Sequence, residues 1–129
     1  MIDLVTGRVT GVSAPPLVPM DRPIDLEHLS RATMDDRSLE REVLRLFDRQ
    51  AVALLERIER AATTEIVTLA HTLKGSARGI GAGQVAAAAQ RLETAATATR
   101  EKELTSALEE LRAAVDEARA AIADLLRDP

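Results

Sequence analysis

The sequence contains no cysteine, no tryptophan and no tyrosine, and Phe47 is its only aromatic residue. The missing cysteines exclude a disulfide framework, a thiolate metal site and a cysteine nucleophile. The missing aromatic side chains argue against the base stacking used by proteins that bind RNA or single-stranded DNA. The two histidines, His28 and His71, are too few for a zinc site of the usual kind. We therefore expect no metal site in this chain.

Positive charge and long apolar runs are also scarce. The formal net charge is −4 over 129 residues, which argues against a nucleic-acid-binding surface. No run of about 18 apolar residues occurs, so no membrane-spanning helix is expected. The N-terminus lacks the basic and apolar regions of a signal peptide. The sequence therefore predicts a cytoplasmic protein whose partner is neither a nucleic acid nor a membrane.

What the sequence does contain is a helical pattern that follows a different N-terminal stretch. Residues 1–23 carry four prolines and few charges, so they cannot form a continuous helix. We interpret them as a mobile tail or as a strap laid on the domain surface. Residues 24–129 are the predicted domain, and no sustained alternation of apolar and polar residues indicates a strand there.

One short helix and four long amphipathic helices are predicted in this domain. The first long helix is expected to follow a cap at Asp35 or Asp36 and to run to about residue 60, and the second to end at about residue 78. The third and fourth are expected at about residues 84–99 and 102–127. Asp25 is the predicted N-cap of the short helix, and Thr63 or Thr64 is that of the second long helix. Because short loops join antiparallel neighbours, we expect an all-α fold, an up-down-up-down four-helix bundle with a short additional N-terminal helix.

The second long helix carries an unusual polar patch. On a helical wheel, its apolar residues share one face, which is the expected core face. Four residues form the patch on the exposed side: His71, Lys74, Gly75 and Arg78. The Lys74 ammonium lies within reach of His71 and suits an anion carried on the imidazole. Gly75 costs roughly 1 kcal/mol relative to alanine, and it lies where a side chain would crowd a group approaching the ring.

Two interpretations of this patch stay open on geometry alone. In the first, the patch binds or carries an anion on His71. In the second, it is an ordinary helix surface, because a solvent-facing histidine beside a lysine is common and a single glycine needs no functional reason.

The run from His71 to Gly81, HTLKGSARGIG, resembles the signature of histidine-containing phosphotransfer (HPt) domains. That signature is an Ala-His-x-Leu-Lys-Gly-Ser run, followed about ten residues after the histidine by a hydrophobic residue and a glycine. The chain matches the run at residues 70–76 and the pair at Ile80 and Gly81. The resemblance covers about residues 25–125.

The resemblance implies a four-helix bundle that carries a phosphoryl group on one exposed histidine. His71 would accept it from a receiver-domain aspartate, for example that of a hybrid sensor histidine kinase, and pass it to a response regulator. Lys74 would neutralise the phosphoryl oxygens, and Gly75 would give the receiver access to the ring. From its place on the same patch, Arg78 is expected to add to the surface that binds the phosphate or the partner.

The same resemblance limits what the chain contributes to the reaction. The sequence contains no candidate ATP site, so we expect a phosphohistidine carrier without enzymatic activity of its own. We expect no cofactor on this chain, because Mg²⁺ would belong to the partner receiver domain. The carrier is expected to be a monomer.

The turn after the second long helix predicts which residues neighbour His71. In an antiparallel pair, the level of His71 falls at Gln90 to Glu93 on the next helix. We expect Glu93 to bond the second ring nitrogen and to orient the ring, with a solvated surface glutamate as an equal alternative. Gln50, which interrupts an apolar stripe of the first long helix, is also expected to face the site.

The alternative function belongs to a different class. The last helix carries apolar residues at alternating spacings of four and three, from Leu104 to Leu125. This pattern suits a coiled-coil scaffold as well as a bundle core. The chain would then be a non-catalytic helical scaffold, or an adaptor bundle that docks a kinase, and His71 would be incidental.

Overall fold

The structure, a computed structural model, describes residues 22–127, and all regular structure in that range is helical. Five helices follow one another: α1 (Leu26–Ala32), α2 (Arg37–Arg60), α3 (Thr63–Ile80), α4 (Gly83–Thr97) and α5 (Glu101–Arg127). The predicted all-α class is confirmed. The predicted tail, residues 1–23, lies outside the described range apart from Arg22 and Pro23. None of the five described helices has an apolar stretch of the length that a bilayer requires.

The four long helices form the expected up-down-up-down bundle. Each packs beside the next along the chain, and α5 closes the ring against α2. Ion pairs across that closure show the antiparallel register: Arg112 in α5 pairs with Glu59 near the end of α2. Arg119, further along α5, pairs with Asp48, which lies earlier in α2. The α2–α5 pair is therefore held at its solvent edge by charges and at its inner edge by the core.

The core is almost entirely aliphatic. Its largest fully buried side chains come from all five helices: Leu29, Ile58, Leu73, Val85, Leu92, Leu111, Val115 and Ile122. The alternating stripe predicted on α5 points into this core, since Leu111, Val115 and Ile122 are each at most 1% exposed. The bundle itself therefore uses the apolar seam that a coiled-coil partner would need.

Helices α3 and α4 pack along a seam of small side chains. Ala70 and Ala77 of α3 and Ala86, Ala89 and Ala96 of α4 are all buried. Interaxial distances depend on the side chains at the contact, so alanines let the two helices approach closely. Polar side chains at the edge of this seam are consequently within reach of one another.

Helix starts show where capping was predicted well and where it was not. Asp25 caps α1 as expected, by accepting a hydrogen bond from the backbone N–H of His28. The predicted cap of α3 is wrong, because the helix already includes Thr63, and its N-cap is Ala62, which makes no side-chain bond. Ala61 and Ala62 are both extended (ψ 154° and 158°), so the helical turn begins before either threonine can cap it.

The turn between α3 and α4 depends on Gly81. Its φ of 83° is left-handed, and the N–H groups of Gly81 and Ala82 bond the carbonyls of Arg78 and Ala77 in a Schellman arrangement. The Gly81 carbonyl accepts a hydrogen bond of 2.9 Å from the N–H of Asp25. A Cβ at Gly81 would lie 2.9 Å from the Asp25 carbonyl oxygen. Helix α1 is therefore seated directly on this turn.

Candidate functional site

Helix α3 presents His71 to solvent, away from its core face. The His71 side chain is 67% exposed, and its Nδ1 atom lies 3.2 Å from Oε2 of Glu93 in α4. An ionised carboxylate can only accept hydrogen bonds, so we assign the ring proton to Nδ1, which donates to Glu93. In this tautomer the lone pair of Nε2 is free, as a nucleophilic nitrogen requires.

The prediction that Lys74 lies on an exposed patch is wrong, because this residue is only 8% exposed. Its ammonium group donates to Oε1 of Gln90 at 2.8 Å and to Oε1 of Glu93 at 2.9 Å. The small side chains of the seam bring α4 close enough to cover the aliphatic stem of the lysine. A helical wheel of α3 alone could not show this cover, since α4 provides it.

Glu93 joins the two basic groups of the site. Its Oε2 accepts from His71 and its Oε1 from Lys74. The hydrogen bond from Lys74 lowers the pKa of Glu93 below its usual value, burial works in the opposite direction, and the Lys74 charge and the His71 contact add to the lowering. Glu93 is therefore a carboxylate at neutral pH, and it lies at the level that the hairpin geometry predicted.

The structure adds Gln90, which the sequence pattern did not single out. Its Oε1 accepts from Lys74, and its Nε2 donates to the Thr94 hydroxyl at 3.2 Å. A signal for it was present in the sequence, because Gln90 precedes Glu93 by three residues and such pairs share a helix face. The sequence prediction selected only the charged Glu93 at that level of α4 and therefore missed the neutral Gln90.

Two residues predicted for the site stand apart from this polar network. Gln50 is half-buried in α2, and within residues 22–127 it makes no hydrogen bond with His71, Lys74 or Glu93. Arg78 is exposed on α3, two turns beyond His71. The network itself is thus built from α3 and α4 alone.

Gly75 lies on the exposed side of α3, one turn after His71. A Cβ added there would have no neighbouring atom within 4 Å, so packing among the described residues does not require a glycine. Gly79 is equally open. The missing side chain at Gly75 leaves the backbone of α3 uncovered beside the imidazole, which suits the approach of a large partner.

This arrangement suits nucleophilic chemistry by the imidazole. Glu93 orients the ring, and Lys74 balances the charge of Glu93. Because the ring is exposed rather than enclosed in a cleft, it is open to a group that a partner delivers. In the part of the chain that the structure describes, no group of three or more histidine, aspartate or glutamate residues is placed to hold a metal ion.

Comparison with known proteins identifies the family. The model of the Hpt domain family matches residues 42–121, more than half of the chain. A search of curated proteins found no match. Among solved structures, the chain is similar to the X-ray structure of a rice protein described as a histidine-containing phosphotransfer protein. The TM-score is 0.73 and the identity 20%, over 81% of this chain and 80% of that one.

The chain therefore belongs to the HPt domain family. Proteins of this family are phosphocarriers that interact with receiver domains in phosphorelays. The chain is accordingly a phosphotransfer carrier of two-component signalling. The likeness to the rice protein shows the shared fold, and the residues of the site are argued from their own geometry.

Proposed function

We propose that this chain carries a phosphoryl group on Nε2 of His71. It receives the group from the phosphoaspartate of one receiver domain, such as that of a hybrid sensor kinase, and passes it to the aspartate of a response regulator. The observation that carries this proposal is the contact between Nδ1 of His71 and Glu93, because it leaves Nε2 as the nucleophile of an exposed ring.

The transfer balances with the groups described. The Nε2 lone pair attacks phosphorus, the bond from phosphorus to the aspartyl oxygen breaks, and the aspartate leaves with the electron pair as a carboxylate. The Nδ1 proton stays on the ring, where Glu93 holds it. In the next transfer this proton makes His71 a neutral leaving group when the phosphorus–nitrogen bond breaks. Phosphoryl transfer has a loose transition state, so such positioning supplies most of the catalysis.

The other residues of the site support this step through charge and access. Lys74 pairs with Glu93, so the phosphoryl group approaches His71 beside a neutral pair rather than a lone carboxylate. Gly75 gives a receiver domain room to reach the ring, and the exposed Arg78 offers a cation to the phosphoryl group or its carrier. In this proposal Mg²⁺ is bound by the receiver domain. The carrier acts as a monomer in the cytoplasm.

The experiment is phosphoryl transfer from a panel of phosphorylated receiver domains. The chain has only two histidines, so His71→Gln and the matched control His28→Gln cover both candidate acceptors. We expect an acid-labile, base-stable label on the wild type and on His28→Gln, and none on His71→Gln. A folded wild type that takes no label from any receiver would instead favour a scaffold or a kinase-docking adaptor.

A further inference from the structure

The buried lysine of the site has two acceptors of different kinds. Lys74 donates to the charged Glu93 and, at a slightly shorter distance, to the neutral amide oxygen of Gln90. The Lys74 side chain is 10% exposed and that of Glu93 is 19% exposed, whereas the neighbouring His71 ring is 67% exposed. The ammonium is thus directed toward α4, where both of its acceptors lie, and the lysine side chain is largely withdrawn from solvent.

Gln90 is itself fixed in direction. Its Nε2 donates to the hydroxyl of Thr94, and that hydroxyl donates to the backbone carbonyl of Gln90 at 3.0 Å. This closed loop on α4 turns the amide oxygen of Gln90 toward Lys74. Both polar atoms of the Gln90 amide therefore have a partner, and its oxygen is the atom that faces Lys74.

We propose that Gln90 is a positioning residue of the phosphotransfer site: it holds the Lys74 ammonium in the seam, so that the lysine acts on His71 through Glu93. This inference rests on the proposed function. It assigns Lys74 a different role from direct neutralisation of the phosphoryl oxygens. The lysine balances the charge of the group that orients the ring, and Gln90 keeps it in that place.

The first test is the chemical accessibility of Lys74. The chain has two lysines, and Lys102, in the exposed first turn of α5, is an internal reference. In Gln90→Leu one acceptor is replaced by an apolar group, so we expect the long, flexible lysine side chain to turn its head toward water. Acetylation of Lys74 relative to Lys102, measured by peptide mass spectrometry, should rise about tenfold, as expected for the loss of one hydrogen bond to a charged group.

The matched control is Gln50→Leu. It makes the same substitution at another half-buried glutamine, on a helix that contributes nothing to the network. We expect the Lys74 to Lys102 ratio to stay at the wild-type value in this variant. A rise in both variants would mean that the substitutions merely loosen the bundle, and this would overturn the inference.

The second test asks whether the hydrogen bond between Gln90 and Lys74 affects phosphoryl transfer. Gln90→Leu and Lys74→Met should each slow transfer from a phosphorylated receiver, and the double variant should be no slower than Lys74→Met alone, since Gln90 acts only through the lysine. In both single variants the pKa of Glu93 should rise toward its usual value, which carboxyl NMR would follow. Among the described residues, the titratable side chains that bond Glu93 are Lys74 and His71, both from α3.

The outcomes separate this inference from the proposed function. Transfer by Gln90→Leu within twofold of the wild type, or additive effects in the double variant, would overturn the positioning role while leaving His71 as the carrier. If the wild type accepts no phosphoryl group, the proposed function fails. The acetylation ratio and the Glu93 titration would then still decide whether Gln90 governs the lysine.

Discussion

Glu93 stands between two groups that can each carry a positive charge, and this position makes it sensitive to acid. Its pKa is lowered in the folded chain, chiefly by the hydrogen bond from Lys74. A carboxyl group of this kind adds stability above its unfolded pKa, and that stability is lost as the pH falls through its lower folded value. The Glu93 contribution should therefore be fully present at neutral pH and decline as the pH falls from the ordinary value of 4.5 toward the lower folded pKa.

Urea unfolding of the wild type and of Glu93→Gln checks this expectation. At pH 7 the variant should be less stable, because the Lys74 ammonium stays in the seam without its carboxylate. At pH 3 the difference should be smaller, because below the ordinary value of 4.5 the unfolded wild type takes up a proton at Glu93 that the folded chain, with its lowered pKa, binds less readily. The exposed Glu109 provides the control, and Glu109→Gln should be as stable as the wild type at both pH values. A Glu93→Gln deficit that is equal at pH 7 and pH 3 would contradict the argument.

The residues of the site show which properties a single sequence can give. The exposure of His71 and the level of its neighbour Glu93 follow from periodicity within α3 and from the length of the hairpin, whereas the role of His71 follows from the motif around it. The burial of Lys74 does not, because it depends on how closely α4 approaches. Gln90 was missed for the same reason: a neutral side chain becomes part of a site only when a buried donor lies opposite to it.

Among the helices, α3 combines a regular apolar face with two open glycines. Gly75→Ala adds a Cβ that touches nothing, so the variant should gain roughly 1 kcal/mol of helix stability. The longer side chain of Gly75→Gln should also leave the fold intact, but it should slow transfer more than about tenfold by crowding the approach to the ring. Thermal unfolding and receiver-transfer rates measure the two effects separately.

Gly79→Ala is the matched control for stability, because that position is equally open. It should show a gain in unfolding temperature similar to that of Gly75→Ala. Normal transfer by Gly75→Gln would show that access beside His71 does not limit docking.

The helices themselves were largely predictable. Periodicity located all four long helices to within a few residues, because each buries one regular stripe. The start of α3 was not predictable, since it depends on the extended backbone of Ala61 and Ala62 rather than on a capping side chain. Local propensity thus described the helices well and the short link between α2 and α3 poorly.

For the molecule as a whole, the question is whether the apolar stripe of α5 is buried within one chain or between two chains. Leu111 is fully buried within the chain's own core. Leu111→Ala should therefore lower the free energy of unfolding by about 2–5 kcal/mol, because it removes buried methyl groups and leaves a cavity. Chemical denaturation measures this loss, and sedimentation should show a monomer for both the wild type and the variant. A wild-type oligomer that dissociates on this substitution would instead place the α5 stripe between chains.

Gly75 and Gly81 belong to the same sequence motif, but their surroundings in the bundle differ. At Gly81 the backbone is left-handed and α1 lies against it, so a side chain there would meet Asp25. At Gly75 there is only open space. In a survey of random substitutions, the variants of these two glycines would therefore fail for different reasons. Changes at Gly81 would be recorded as losses of soluble protein, whereas bulky changes at Gly75 would yield normal amounts of a protein that no longer relays a signal.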